Sequence, residues 1–383
     1  MNREGDILVV ATGGGGDALA ALMLAEALGD DAAGVATFAW ERKMFDPRPG
    51  PRGPRDFAGL DRCGARNWKV SPRSRLLGGK SFLPQLAAGT AVPLFLLDPA
   101  SGADGLARQL AELAELRGIT KTLLVDVGGD ILARGDEPGL RSPLADALAL
   151  AAASDLPEPV VFCLGLGLDG ELGVAERRGL IHDAMAAGWG TSSPLPGALA
   201  RRYRDFFTWH PSEATGMACL AALGYRGKVE MRADGLTVLL DSESARIHQF
   251  EYREVHQRNL VAAAVAGTRS LTAAEERARA VCGRTELEIE RRTVRARAAR
   301  SAPQLRKQRM FELEAELMSY CDRAEARGVR YLTMRRVAEV LALNGTDFAA
   351  FRRFLDQHTD HQSRMPLWPC ARDERSQWSH LSG

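Results

Sequence analysis

An α/β chain with a mostly parallel sheet and an appended C-terminal helical region is predicted by three observations. Five short apolar runs rich in β-branched residues recur at Asp6 to Thr12, Gly34 to Trp40, Val92 to Asp98, Thr122 to Val127 and Val160 to Gly165, each bounded by turn residues. Helical patterns separate most of them, clearest at Asp17 to Leu28, Leu106 to Leu116, Leu144 to Ala153 and Val174 to Ala187. Past Ser270 the pattern changes to long, charged, mainly helical segments interrupted by Pro303. Right-handed crossovers between alternating strands and helices put helices on both sheet faces, so the expected architecture is Rossmann-like and doubly wound.

A length of 383 residues exceeds one ordinary core. The expected organisation is a catalytic α/β domain over residues 1–265, a helical region over 270–356 and a polar tail over 357–383. After a helix at Glu213 to Leu223, the runs Lys228 to Arg232 and Leu236 to Asp241 are expected to close the sheet edge as a hairpin through Ala233, Asp234 and Gly235. Leu332 to Leu343 followed by Asp347 to Leu355 has helix-turn-helix spacing, which any antiparallel helix pair shares.

Composition bounds the function. With 45% hydrophobic and 26% charged residues the chain is an ordinary globular one, not a disordered one. It carries no leader pattern and no apolar run of membrane-spanning length, so a cytoplasmic protein without a membrane partner is expected. Six cysteines without CxxC spacing indicate reduced thiols, not a zinc knuckle or a disulfide framework. The net charge of +1 hides two basic stretches: ten Lys/Arg against three Asp/Glu from Arg42 to Arg75, and nine against three from Arg284 to Arg309. The second, around Arg291, Arg295 and Arg306, lacks interleaved aromatics. It reads as a solvated or oligomer-facing helix, so no nucleic-acid partner is expected, and a homo-oligomer through the C-terminal helical region is.

The chemistry is expected where parallel strands end, because ligands in such sheets bind outside the carboxyl ends, near the point where strand order reverses. The first strand runs into Gly13, Gly14, Gly15, Gly16 and Asp17, and a helix follows at once. Such a loop lets the backbone approach an anion whose charge the helix start favours, although Asp17 as a simple helix cap would also account for it. The pattern lacks the Lys-Ser/Thr pair of a P-loop and is not a clean GxGxxG. The fourth strand ends in Asp126, Val127, Gly128, Gly129 and Asp130, and the fifth leads through Gly167 to Asp169 and Glu171. Each acid alone reads as a turn residue; together, Asp17, Asp130, Asp169 and Glu171 at equivalent strand ends suit general acid/base work, Mg2+ or sugar hydroxyls.

Between the second and third strands the proline-rich segment Glu41 to Phe57 leaves a strand's carboxyl end. Arg42, Arg48, Arg52 and Arg55 there could grip phosphate or carboxylate, or be solvated. In Trp209 to Gly216, Ser212 reads as a helix N-cap, and His210 as either a general base or a hydrogen-bonded structural histidine. No GxSxG elbow is present, so a serine nucleophile is unsupported.

The ordered set GGGGD, ERxxxDPxPGPR, DVGGD with RGDE and SP, GLGLDGE, and PSEATG with GYRG resembles the family catalogued as domain of unknown function 1152, over roughly the first two thirds of the chain. The resemblance implies an α/β protein in which Gly13 to Asp17, Glu41, Arg42, Asp46, Arg52, Asp130, Asp169 and Glu171 share one site. It names no reaction.

The leading expectation is a non-redox hydrolase, lyase or group transferase acting on a small anionic substrate such as a nucleotide, nucleoside or sugar phosphate. Gly13 to Gly16 would hold the anion, the basic loop would cover it, and Asp130, Asp169, Glu171 or His210 would transfer protons, with Mg2+ as the cofactor that several carboxylates could take. The alternative is an NAD(P)-dependent oxidoreductase, because Glu41 stands near the position of a ribose-binding acid with Arg42 beside it for a 2′-phosphate. A ligand-binding module without catalysis needs only the glycine loop.

Overall fold

The structure is a computed structural model and describes residues 5–43, 45–232, 235–298, 307–358 and 366–371. Two compact units divide the chain: Met1–Pro194 with Arg246–Arg297, and Leu195–Ala245 with Ala298–Gly383.

The first unit is built on a nine-stranded sheet: β1 Ile7–Ala11, β2 Ala32–Phe38, β3 Asp61–Cys63, β4 Asn67–Val70, β5 Leu94–Leu97, β6 Lys121–Val127, β7 Pro159–Leu164, β8 Gly190–Pro194 and β9 Arg246–Glu251. Their order is β8-β9-β7-β6-β1-β2-β5-β4-β3. The central five, β7, β6, β1, β2 and β5, run parallel. Antiparallel pairs flank them on both sides. This is an α/β fold with a mixed, mostly parallel sheet. The central strands are the five apolar runs of the sequence, and they are mainly apolar because both faces are covered: Leu8, Val9, Val10 and Ala11 are all fully buried, and Thr37, Thr122 and Asp126 are polar residues buried with them.

Helices α1 Gly15–Leu28, α2 Gly102–Arg117, α3 Pro143–Ala152, α4 Val174–Ala187 and α5 Glu286–Ala298 belong to this unit's framework. From β1 the chain passes through α1 to β2 on one side, and after β5 it returns through α2 to β6 on the other. Strand order therefore reverses between β1 and β6. The register sets Ala11 beside Val125 and Asp126 beside Cys163, so Thr12 and Asp126 emerge together at this point.

Several expectations are corrected. The hairpin Gly227–Glu230 with Thr237–Leu240 does not close the large sheet; it joins Val329–Thr333 and Leu367–Pro369 in a four-stranded sheet of the second unit. The edge it was expected to form is made by β8 and β9, whose half-exposed, polar sequences carry no long apolar run. At the opposite edge, β3 and β4 come from within the basic stretch after Arg42, which is therefore partly sheet.

The region after Ser270 is not a separate all-helical one. Leu271–Cys282 and most of α5 belong to the first unit, and residues 195–245, expected inside the first domain, belong to the second. The second unit mixes the helices Lys307–Glu325, Met334–Val340 and Gly345–His358 with strands. Val329–Thr333 runs into the first member of the expected helix-turn-helix. Pro303, Ala233 and Asp234 lie outside the described residues, as does most of the tail, within which Leu367–Pro369 is a strand. Among the described residues no helix is long and apolar enough to cross a membrane. The six cysteines are free thiols.

Candidate functional site

At the reversal point between β1 and β6 the chain gathers carboxylates. Asp126, the sixth residue of β6, is fully buried, and neither of its oxygens has a hydrogen-bond partner among the described residues. Asp17 comes from the first turn of α1; its Oδ2 accepts from the Gly13 amide at 2.7 Å. Asp146 comes from the first turn of α3, and its Oδ1 accepts from the Thr12 hydroxyl at 2.5 Å. One carboxylate oxygen from each of Asp17, Asp126 and Asp146 lies within 4.8 Å of the others. Both helices start at this cluster, so the positive ends of two helix dipoles favour negative charge there.

Asp130 opens a short 3-10 turn after Gly129 and is also buried, whereas Asp169 is half-buried. Gly128, at φ 116°, is the residue the turn needs, since a Cβ there would lie 2.5 Å from the Asp169 carboxyl carbon. The Gly167 amide donates to the Gly128 carbonyl at 2.5 Å, stitching the loops after β6 and β7 together.

The electrostatics follow from burial. Loss of water, and then the charges of Asp126 and Asp146, hold the Asp17 carboxyl well above the usual range. Burial and Asp146 do the same to Asp126, although the nearby Asp130 carboxyl and Cys163 thiol favour its charged form without reaching hydrogen-bond geometry. Asp130 is raised by burial, then by Asp146 and Asp126. Asp146 is pushed up to about 7, by burial and against the pull of the Thr12 hydroxyl.

The other candidate residues have different duties. Glu171 accepts from the Arg141 amide at 2.7 Å, the Ser142 amide at 2.9 Å and the Ser142 hydroxyl at 2.6 Å, so it caps α3 and is occupied as an acceptor. Its partner in this task is Glu286 of α5, which accepts from Leu144 and Ala145. Four residues along α5, Glu290 holds the proline-rich loop through Trp40 Nε1 at 3.0 Å, the Gly50 amide at 2.7 Å and Lys43 at 3.4 Å.

The glycine run is explained by the protein's own groups. A Cβ at Gly13 would run into Asp17 Oδ2, at Gly14 it would lie 2.5 Å from the Trp40 carbonyl oxygen, and at Gly15 2.8 Å from Glu41 Oε2. Gly13 and Gly15 amides are given to Asp17 and to Trp40, while Gly16 continues α1. Glu41 is buried, and its Oε1 accepts from the Phe82 amide at 2.9 Å and the Ser81 hydroxyl at 3.2 Å.

In the basic loop Arg52 is a core residue, 1% exposed, and its guanidinium forks onto the fully buried Asp46. Arg48 is exposed and pairs with Asp56 at 2.8 Å. Arg42 holds the turn through its carbonyl, which accepts from Phe45 and Asp46. His210 lies in the second unit, where its Nδ1 accepts from the Ser212 amide at 3.2 Å and Ser212 stands at the helix N-cap. That is the structural alternative for this histidine.

Sequence reasoning passed over Asp146, Glu286 and Glu290, and read Asp126 as part of a strand end. For Asp146 a signal existed: all ten residues of α3 are buried and it is the only charged one. An isolated acid in an otherwise apolar helix demands a partner.

The family model described as "Protein of unknown function (DUF1152)" matches residues 8–294. The match runs past the first two thirds of the chain and takes in Glu286 and Glu290 of α5. No curated protein and no solved structure matches the chain.

Proposed function

The chain belongs to the DUF1152 family, and from that premise we propose that it is a non-redox enzyme, a hydrolase, lyase or group transferase, built on a Rossmann-like, doubly wound scaffold and acting on a small anionic substrate such as a nucleotide, nucleoside or sugar phosphate. One observation carries the reading: Asp17, Asp126, Asp130 and Asp146 are all buried where the order of the parallel strands reverses, with Asp169 half-buried beside Gly128. Burying like charges without cationic partners costs stability, and such clusters concentrate at sites that do chemistry. We assign to Asp169, the most exposed of the set, whose Oδ1 accepts from the Glu171 amide at 2.9 Å, the task of meeting a substrate and moving its proton.

The oxidoreductase alternative loses its main support, since the acid it would assign to a ribose, Glu41, is engaged by Phe82 and Ser81. The anion is not assigned to Arg52, which Asp46 already holds.

A thermal-shift panel of nucleotides, dinucleotides and sugar phosphates, each with and without Mg2+, tests the proposal, because a ligand of the native state raises Tm. A phosphorylated monomer that shifts Tm and is turned over is the expected result. Silence across the panel, or an NADP shift abolished by Arg42→Ala, overturns it.

A further inference from the structure

We infer that Asp17, Asp126 and Asp146 are the protein ligands of one hard divalent cation, Mg2+ or Mn2+. Three oxygens, one per residue, lie within 4.8 Å of one another. Two metal–oxygen bonds of about 2.1 Å hold ligand oxygens about 3.0 Å apart in cis and at most about 4.2 Å apart in trans, so a bound Mg2+ would draw in any pair that stands near the 4.8 Å limit.

A second observation points the same way independently of the clustering. Asp126 is 0% exposed, and both its oxygens lack a hydrogen-bond partner among the described residues. A carboxylate withdrawn from water and left without a hydrogen bond, the Asp130 carboxyl and Cys163 thiol standing near without making one, is a costly arrangement in a protein interior. Among the described residues no lysine or arginine forms a salt bridge with any of the three. A bound cation supplies the missing partner. The neighbouring buried glutamates differ, since Glu171 and Glu286 spend their oxygens on the amides at the start of α3.

Asp17 and Asp146 have the arrangement expected of ligands held by an outer shell. Each gives one oxygen to a donor of the same strand-end loop, Gly13 for Asp17 and Thr12 for Asp146, which sets the direction of the carboxylate. The cation would also present a coordination position to an oxygen of an anionic substrate in a crevice otherwise lined by acids; only this last step rests on the enzymatic reading above.

The test uses the full-length protein, stripped with EDTA and dialysed, without substrate. MgCl2 and MnCl2 are titrated at neutral pH by calorimetry and followed by Tm. Binding of one cation per chain with a rise in Tm is expected. Asp126→Asn should retain the metal-free Tm of the wild type or exceed it, since it removes a buried like charge, and should weaken cation binding by at least about tenfold, about 1.4 kcal/mol. Should Asp126→Asn fail to fold, Asp146→Asn gives the same reading, and the wild-type stoichiometry depends on neither variant. No binding of either cation at millimolar concentration, or equal binding by wild type and folded variant, overturns the inference and leaves the three acids as a proton-sharing set. Cation binding without any response in the substrate panel sinks the enzymatic reading alone; substrate binding without cation binding sinks the metal site alone.

Discussion

Thr12, the residue after β1, donates its hydroxyl to Oδ1 of Asp146 at 2.5 Å, joining positions 134 residues apart across the point where strand order reverses. This bond ties the first strand-end loop to the start of α3. Removing the donor while keeping the shape leaves a buried carboxylate oxygen unsatisfied, so Thr12→Val should cost about 1–3 kcal/mol. Thr12→Ser should recover most of it. Urea unfolding midpoints of the three proteins decide, and a Thr12→Val midpoint equal to wild type would remove the claim.

Glu171 is expected to behave as a cap and not as a catalytic acid. Glu171→Ala strips the Arg141 amide, the Ser142 amide and the Ser142 hydroxyl of their acceptor, and should lower stability by about 3 kcal/mol. Glu171→Gln keeps an acceptor oxygen and should retain near-wild-type turnover of any substrate the panel returns. A folded Glu171→Gln protein with turnover reduced by about 10² or more would restore the acid/base role.

The Asp46–Arg52 pair is buried on both sides, so breaking it from one end leaves an uncompensated charge in the core. Arg52→Ala should destabilise the protein by about 3–5 kcal/mol. Asp46→Leu combined with Arg52→Met, which removes both charges, should be far less costly than the single change. Denaturant unfolding of the single and double variants provides the comparison; an additive loss contradicts the assignment.

Burial pushes Glu41 from 4.5 to about 7, against the pull of the Phe82 amide and the Ser81 hydroxyl. Between those two values the folded chain holds a proton that the unfolded chain has released. The stability contributed by the protonated acid is therefore fully present below about pH 4.5 and lost as pH rises through about 7. Glu41→Gln, which cannot ionise, should match wild type near pH 5 and become the more stable of the two near about pH 8. Unfolding free energies at both pH values check this, and parallel pH slopes would assign the effect to another group.

Substitution of Gly14 tests whether the glycine run serves the protein's own packing. A Cβ there would lie 2.5 Å from the backbone carbonyl of Trp40, two residues past β2, which already accepts from the Gly15 amide. Gly14→Ala should lower Tm in the absence of any ligand. A variant with unchanged Tm but lost ligand response would return the loop to a purely binding role.

What was legible in the sequence was whatever a local period records. The runs at Ile7–Ala11 and Lys121–Val127 are mainly apolar because both faces are covered, and α4 falls at Val174–Ala187 as its pattern predicts. The strand-end position of Asp130 and Asp169 followed from the same alternation. β8 and β9 escaped because an edge strand needs few apolar residues. α5 escaped as a site element because Glu286 and Glu290 look like the polar face of a solvated helix until their partners, 142 and 240 or more residues away, are known.

The sequence by itself determined that this is an α/β chain with Gly/Asp loops at the ends of its parallel strands, since strand and helix periods and turn residues act over a few positions. Only the tertiary structure decided which acids meet. Asp17, Asp126 and Asp146 converge because β6 pairs with β1 on the side opposite β2 and because α3 starts beside Thr12. It also decided that Arg52 faces Asp46 and that Glu171 faces the start of α3. Strand order and helix docking are set by burying the whole apolar surface at once, a non-local free energy that no window of sequence contains.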